Sequence, residues 1–418
     1  MQRLYTFLLY ALLPVILLRL LWRSHKTPAY GRGWKERFGR FPAPGVRGSL
    51  WIHAVSVGEV QASAPLIKQL LERRPEMPLV VTTTTPTGAE RLQELFGEAV
   101  HHVYFPYDIP FAINGFLSRM NPRMLVMIET EIWPNLLAVC REEGIHTILA
   151  NARLSKRSAR RYARLGQFTR STFSNISLVA AQAPADAERF HALGVPSGRV
   201  RVTGSIKFDI HLPASLHEKA EVLRRDWGGR PVWVAASTHE GEDEIIVRAH
   251  KQVQMVHPQA LLVLVPRHPE RFDRVDTLCR RAGFQVARRS SSPGGVSGME
   301  VFLGDTMGEL TLFIAAADVA FVGGSLVPVG GHNILEPAAL GVPILFGPHM
   351  FNFALISQMM LDAGAAAVVG DEQMLAATVT GWLGDASERA RMGENGRLLV
   401  EDNRGALDRL LVLIEDRL

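Results

Sequence analysis

The chain has 418 residues, 47% of them hydrophobic, enough for two buried cores, because single cores stop growing near about 250–300 residues. Its formal net charge of +5 suits anionic lipid or acidic substrates, and no nucleic-acid-binding motif accompanies that charge. Cys140 and Cys279 are the only cysteines, too far apart to suggest a disulfide framework or a zinc knuckle.

In chain order, Leu4 to Trp22 is apolar except for Arg19, close to the ~20 residues that a bilayer core requires. This predicts a membrane anchor over residues 1–25, either single-pass or monotopic. A signal peptide fits less well, since no small-residue cleavage site follows. Arg23, Lys26, Arg32, Lys35, Arg37 and Arg40 come next. By the positive-inside rule they keep the rest of the chain cytoplasmic, against anionic inner-membrane lipids.

From Leu50 short apolar runs alternate with helical stretches. Strands are predicted at Leu50–Ser56, Leu79–Thr85, His102–Asp108, Met124–Thr130, Ile145–Ala152 and Leu178–Gln182. After a charged stretch broken by Pro213, Gly228 and Gly229, they resume at Val232–Ser237, Leu261–Pro266, Phe284–Arg289, Val301–Asp305, Val319–Gly324 and Pro343–Gly347. The fold class is α/β, with parallel sheets covered by helices. The expected organisation is an anchor at 1–25, a Rossmann-like domain at 26–207, a linker at 208–230 and a second Rossmann-like domain at 231–418, with a cleft between the two. The tract Ser290–Gly298 reads as a surface loop by composition.

Polar motifs fall where these strands end. In HAVSVGEV (His53–Val60), Ser56 ends a strand, Gly58 allows a tight turn, and Glu59 stands at a helix start, where it is either a dipole-stabilised first-turn residue or a general base. His53 reads as a core or supporting histidine. In ETEIWPN, one of Glu129 and Glu131 is expected to face the cleft. Lys207 of TGSIKFD is placed at the domain junction, where it would meet a substrate anion or simply be a surface lysine. Pro266 and Arg267 begin PRHPERF, and the guanidinium fork suits carboxylate or phosphate. GDTMGEL brings Met307, Gly308 and Glu309 to a strand-to-helix turn. In GSLVPVGGHNILEP (Gly324–Pro337), Ser325, Gly330 and Gly331 precede Asn333, Ile334, Leu335 and Glu336. That pattern predicts an anion site at a helix N-terminus, or a capping box in which Asn333 and Glu336 only fasten the helix.

HAVSVGE, TTTTPTG, ETEIWPN, NARLS, TGSIKFD, STHEGE, PRHPERF, GDTMGEL and GGSLVPVGGHNILEP, in this order behind the apolar segment, resemble bacterial 3-deoxy-D-manno-octulosonic acid (Kdo) transferases over nearly the whole chain. The resemblance implies a GT-B glycosyltransferase fold and inverting transfer of Kdo from CMP-Kdo to lipid IVA, the lipid A precursor, in lipopolysaccharide synthesis at the cytoplasmic face of the inner membrane. It implies Glu59 as proton acceptor, and CMP contacts from Pro266 with Arg267, from Met307 to Glu309, and from Asn333 to Glu336. Glu131 and Lys207 fall on motif positions that resemble substrate contacts, and Ser56, Gly58, Ser325, Gly330 and Gly331 are further candidates. No cofactor or metal is expected. The alternatives are a GT-B enzyme using a UDP-sugar, a nucleotide-sugar epimerase, or a non-enzymatic membrane-tethered protein that binds lipid or nucleotide.

Overall fold

The computed structural model describes residues 1–291 and 298–418. Residues 292–297 of the Ser290–Gly298 tract, read above as a surface loop, lie outside the described residues. Contacts divide the chain into two compact units, Met1–Asp209 with Arg404–Leu418, and Ile210–Asn403.

The first unit is built on β1 (Ser49–His53), β2 (Leu79–Thr83), β3 (His101–Tyr104), β4 (Pro122–Ile128), β5 (His146–Ala152), β6 (Leu178–Ala181) and β7 (Val200–Val202). These form one seven-stranded sheet in the order β3-β2-β1-β4-β5-β6-β7, with every pairing parallel. Alternate residues serve opposite faces. Trp51, Val80, Leu125 and Leu149 enter one core, while Leu50, Ile52, Val81 and Val126 enter the other. Burial on both faces is why these strands read as continuous apolar runs.

The second unit repeats the plan with β8 (Val232–Thr238), β9 (Leu261–Pro266), β10 (Val286–Arg288), β11 (Val301–Leu303), β12 (Val319–Val322), β13 (Ile344–Phe346) and β14 (Ala366–Val368). Its seven strands run in the order β10-β11-β9-β8-β12-β13-β14, again all parallel. Strand order reverses between β1 and β4 in the first unit and between β8 and β12 in the second. Open α/β sheets bind ligands at such switch points, outside the carboxyl ends of the strands.

Two expected domain boundaries are corrected. Residues 404–418 belong to the first unit, not to a domain ending at 418. The helix Ala406–Glu415 repeats its apolar residues at helical spacing and buries Leu407, Leu410, Leu411 and Ile414 in the same cluster as Leu66, Ile67 and Leu70. The Asp209 carboxylate holds its start, accepting from Gly405 N at 2.6 Å and Leu407 N at 2.7 Å. The expected linker at 208–230 is also mostly structured. Its helix Leu216–Asp226 buries Ala220 and Leu223, and Trp227 packs on Phe302 in the core of the second unit.

The two strands absent from the sequence reading, β7 and β14, are both three-residue edge strands with part of their surface exposed. Such strands carry little apolar signal. At the N-terminus, a 25-residue helix, Gln2–Lys26, is the one helix among the described residues long and apolar enough to cross a membrane. Not all the cations after it face outward. Arg37 is 5% exposed, donates to Thr84 O at 2.9 Å and lies over the Tyr104 ring.

Candidate active site

At the β1/β4 switch point of the first unit, Glu59 is the third residue of the helix Val57–Arg73, after Ser56 as N-cap. Its Oε2 accepts from Val55 N at 2.7 Å, so it fastens the turn as the bland reading expects. Its acidity is nevertheless displaced. Burial pushes the Glu59 carboxyl up to about 7, against the lowering effect of the Val55 N–H, while Glu129 and Glu131 raise it and Lys207 lowers it. A carboxyl that titrates near neutrality is suited to general-base chemistry. Gly58 is corrected: it lies inside the helix and makes no tight turn, and a Cβ there would meet only Ser56 Oγ at 3.9 Å.

The carboxylates after β4 converge on the same edge. Glu129 takes a left-handed backbone at φ 63°, which is strained for a residue with a Cβ. Its N–H bonds Ala150 O at 2.8 Å, and its Oε1 ion-pairs with Lys207 Nζ at 3.0 Å. Lys207 sits on a short turn, Ile206–Phe208, held by Asn151, whose Oδ1 accepts from Ile206 N at 3.3 Å. Asn151 is itself left-handed, at φ 55°. The motifs ETEIWPN, NARLS and TGSIKFD therefore meet in space. Glu131 is half-buried, and burial raises its pKa, with Glu129 adding to the shift. His53 is a core residue, as read. Its ring stacks on Phe105, its Nδ1 lies 3.2 Å from Thr82 O, and burial lowers its pKa to about 3.

In the second unit the turn after β12 differs from expectation. The backbone N–H groups of Gly324, Ser325, Leu326, Gly330 and Gly331 are engaged within the unit, which leaves the anion reading to the start of the helix that follows. The carboxylate of Glu242, fully buried, accepts from Gly324 N at 2.7 Å, Ser325 N at 2.9 Å, Leu326 N at 2.9 Å and His239 N at 2.9 Å. The N–H groups of Gly330 and Gly331 both bond Gly324 O. The first part of the turn is closed around a carboxylate of its own chain. The helix that follows, Leu335–Ala339, is five residues long and starts at Ile334 as N-cap rather than Asn333. Gly330 and Gly331 are required all the same. Their φ values are 112° and 75°, and a Cβ would fall 2.3 Å from Asn352 Nδ2 and 2.2 Å from Met350 Sδ respectively. Ser325 is buried, donating to Val322 O and accepting from Gly347 N at 2.8 Å, so its hydroxyl works inside the fold.

Beside this turn His239 Nε2 and His332 Nε2 stand 2.8 Å apart with nearly parallel rings, and His268 packs edge-on to His239. Burial first, then His239, Arg267 and His268, hold His332 down at about 4. One ring of the pair donates and the other accepts. Arg267, half-buried and anchored by its N–H to Thr238 O at 3.0 Å, is one cation of this group, and Arg271, ion-paired with Asp243, is another. Pro266 ends β9 and is buried.

A cavity of about 740 Å³ opens in the same unit, with Gly308, Glu309, Thr311, Glu336 and Arg289 in its wall, together with Ile210–Leu212 from the presumed linker. Glu336 accepts from Asn333 Nδ2 at 2.9 Å and from Thr311 Oγ1 at 3.1 Å, while Asn333 Oδ1 accepts from Leu335 N at 3.1 Å. The capping pair forms, with one carboxylate facing the cavity. Glu309 ion-pairs with Arg289 at 2.6 Å, and that contact, helped by the Thr306 hydroxyl and against the raising effect of burial, lowers its pKa. Met307 is exposed, whereas the side chains of Ile334 and Leu335 are buried, which leaves only their backbone for a ligand.

Comparison with known proteins shows the family of the chain. Residues 32–210 match a family profile described as 3-deoxy-D-manno-octulosonic-acid transferase (kdotransferase). The 3-deoxy-D-manno-octulosonic acid transferase of Haemophilus influenzae is 42% identical over 416 residues, covering 98% of this chain and 97% of that protein. The chain belongs to the Kdo transferase family. The Bordetella pertussis transferase is 38% identical, with 99% and 98% coverage. Among solved structures, Anabaena HepE in complex with UDP aligns with a TM-score of 0.54 at 14% identity, over 88% of this chain and 100% of that one. That likeness shows the fold, a GT-B-like pair of Rossmann-like units. The transferase is thus a glycosyltransferase, and a purely tethering role is set aside. Glu242 and Asn151 were missed as key residues by sequence reasoning. Both lie in motifs the resemblance quotes, STHEGE and NARLS, but neither residue type announces that it will hold a turn from far along the chain.

Proposed function

We propose that the chain transfers Kdo from CMP-Kdo to lipid IVA with inversion, at the cytoplasmic face of the inner membrane, in lipopolysaccharide synthesis. The observation that carries this reading is Glu59, a half-buried carboxyl at the switch point of the first sheet that titrates near neutrality, in a chain of the Kdo transferase family. Glu59 takes the proton from the acceptor's primary hydroxyl as that oxygen attacks the anomeric carbon. The bond from that carbon to the phosphate of CMP breaks, and the charge leaves with CMP. Lys207 and Glu129 hold the local charge balance, and Glu131 supplies an acceptor for a sugar hydroxyl.

The donor half of the chemistry falls to the second unit. Glu336 accepts from the ribose hydroxyls, and Gly308 and Glu309 border the nucleoside. Arg267 carries the interaction with the departing phosphate, with the His239–His332 pair beside it. One phosphate asks less of a site than two, and the proposed reaction uses no metal or cofactor.

Calorimetric titration with CMP tests the donor half. Wild type is expected to bind, and Glu336→Ala to weaken binding about 10-fold or more through loss of charge-assisted hydrogen bonds. Equal affinity in the variant would remove Glu336 from the nucleoside site.

A further inference from the structure

The N-terminal helix Gln2–Lys26 shows two faces that alternate with the helical period. Tyr5, Leu9, Leu13, Ile16, Leu20 and Ser24, at steps of three or four, are partly shielded. Leu4, Leu8, Leu12, Val15, Leu18 and Trp22 are exposed. A helix that crosses a bilayer alone would be unshielded on all sides. Here one stripe is less exposed than the other, and its first turns meet protein.

The helix is tied near its start to the compact unit it belongs to, and its other end runs on into that unit. In the first turns Tyr5 donates to Asp108 Oδ2 at 2.8 Å, Thr6 donates to Asn135 Oδ1 at 2.7 Å, and the Tyr5 ring meets Phe168 at 5.6 Å. In the last turn Arg23 lies over Tyr30, and the chain continues to Arg37, which is buried beside Thr84. A helix of 25 residues is about 37 Å long. If it spanned the ~30 Å hydrocarbon core, with the catalytic units on one side, Tyr5 would be near the opposite surface, beyond reach of Asp108.

Charge complementarity names what covers the exposed stripe. The helix Lys156–Ala163, with no buried residue, presents Lys156, Arg157, Arg160 and Arg161. Exposed Leu165 follows, three residues before the Phe168 that touches Tyr5. At the other end stand Arg19, Arg23 and Lys26. An apolar stripe flanked by cations fits one leaflet of an anionic bilayer, with side chains in the acyl boundary and cations among headgroups.

We infer that this helix lies in the plane of one leaflet, with its N-terminus on the same side of the membrane as the catalytic units. The inference rests on the membrane reading above and not on the identity of the donor or acceptor. It has a consequence for the acceptor half-site. Asp108, which receives Tyr5, also accepts from Asn135 N and Leu136 N, at the start of the helix that follows Glu131. The helix thus docks on the segment that sets Glu131, and brings the leaflet holding a lipid acceptor to that segment.

The test uses the full-length chain expressed in a Gram-negative host, with single cysteines introduced as Gln2→Cys or, for reference, Met255→Cys on the exposed surface of the second unit. Native Cys140 and Cys279 are buried and give low background. A membrane-impermeant maleimide is applied to spheroplasts, which expose the periplasmic face, and to inverted vesicles, which expose the cytoplasmic face. Both cysteines are expected to react in inverted vesicles and to be protected in spheroplasts. Labelling of Gln2→Cys in spheroplasts, or its protection in inverted vesicles where Met255→Cys reacts, overturns the inference. Neither readout depends on transfer activity, so it stands or falls apart from the proposed reaction.

Discussion

Replacing Glu59 with glutamine lowers transfer by about 10²–10⁴-fold, the usual contribution of a positioned general base, and leaves CMP affinity unchanged. Glutamine keeps an oxygen for Val55 N and so preserves the turn, but it cannot take a proton. The wild-type rate should rise with pH through about 7, because burial, ahead of the neighbouring carboxylates Glu129 and Glu131, holds the Glu59 carboxyl there and only the ionised form is a base. The acid limb disappears in the variant. Stability moves the other way. A carboxyl whose folded pKa is raised contributes stability below its unfolded pKa and loses that contribution as pH rises through the folded value. At pH 8, Glu59→Gln should therefore melt at or above the wild-type temperature. A residue that only capped the helix would leave transfer at the wild-type rate in the variant.

Glu242→Ala is expected to act through the fold of the second unit. The substitution removes the acceptor of four backbone N–H groups, from His239, Gly324, Ser325 and Leu326, in a place with no solvent access. Each buried donor left without a partner costs about 1–3 kcal/mol, so the loss should reach at least ~3 kcal/mol even after relaxation, a large share of a typical domain's stability. Calorimetric melting would show a transition of the second unit at lower temperature and loss of CMP binding. Glu242→Gln, which keeps one acceptor oxygen, should fall between the two. Wild-type stability in Glu242→Ala would mean that the turn after β12 does not depend on this carboxylate.

The contrast between these two glutamates shows what the sequence makes legible. Glu59 follows an apolar run and precedes a helical one, so its position at a sheet edge is local information, and the fold class follows from twelve such runs. The strands it missed, β7 and β14, are short edge strands whose half-exposed residues break the apolar pattern. Glu242 is different. It follows β8, while three of its partners follow β12, more than 80 residues later, and a pairing at that distance leaves no periodic trace. For the same reason the first residues of the Gly324–Pro337 turn read as open from sequence alone. Its glycines and the Asn333–Glu336 pair were legible, but the carboxylate filling it was not. Sequence alone places residues 404–418 in the second domain, whereas the apolar stripe of their helix finds its complement on the helix that begins beside Glu59.

The most direct test of the central claim is mass spectrometry of lipid IVA after incubation with the purified full-length chain and CMP-Kdo generated in place, with EDTA in excess of magnesium added once the donor has formed and before the chain is added. The account predicts a mass gain of one or more Kdo residues with wild type, none with Glu59→Gln, and no dependence on added magnesium. An unmodified acceptor with folded, CMP-binding wild type would contradict it and direct attention to another donor or acceptor.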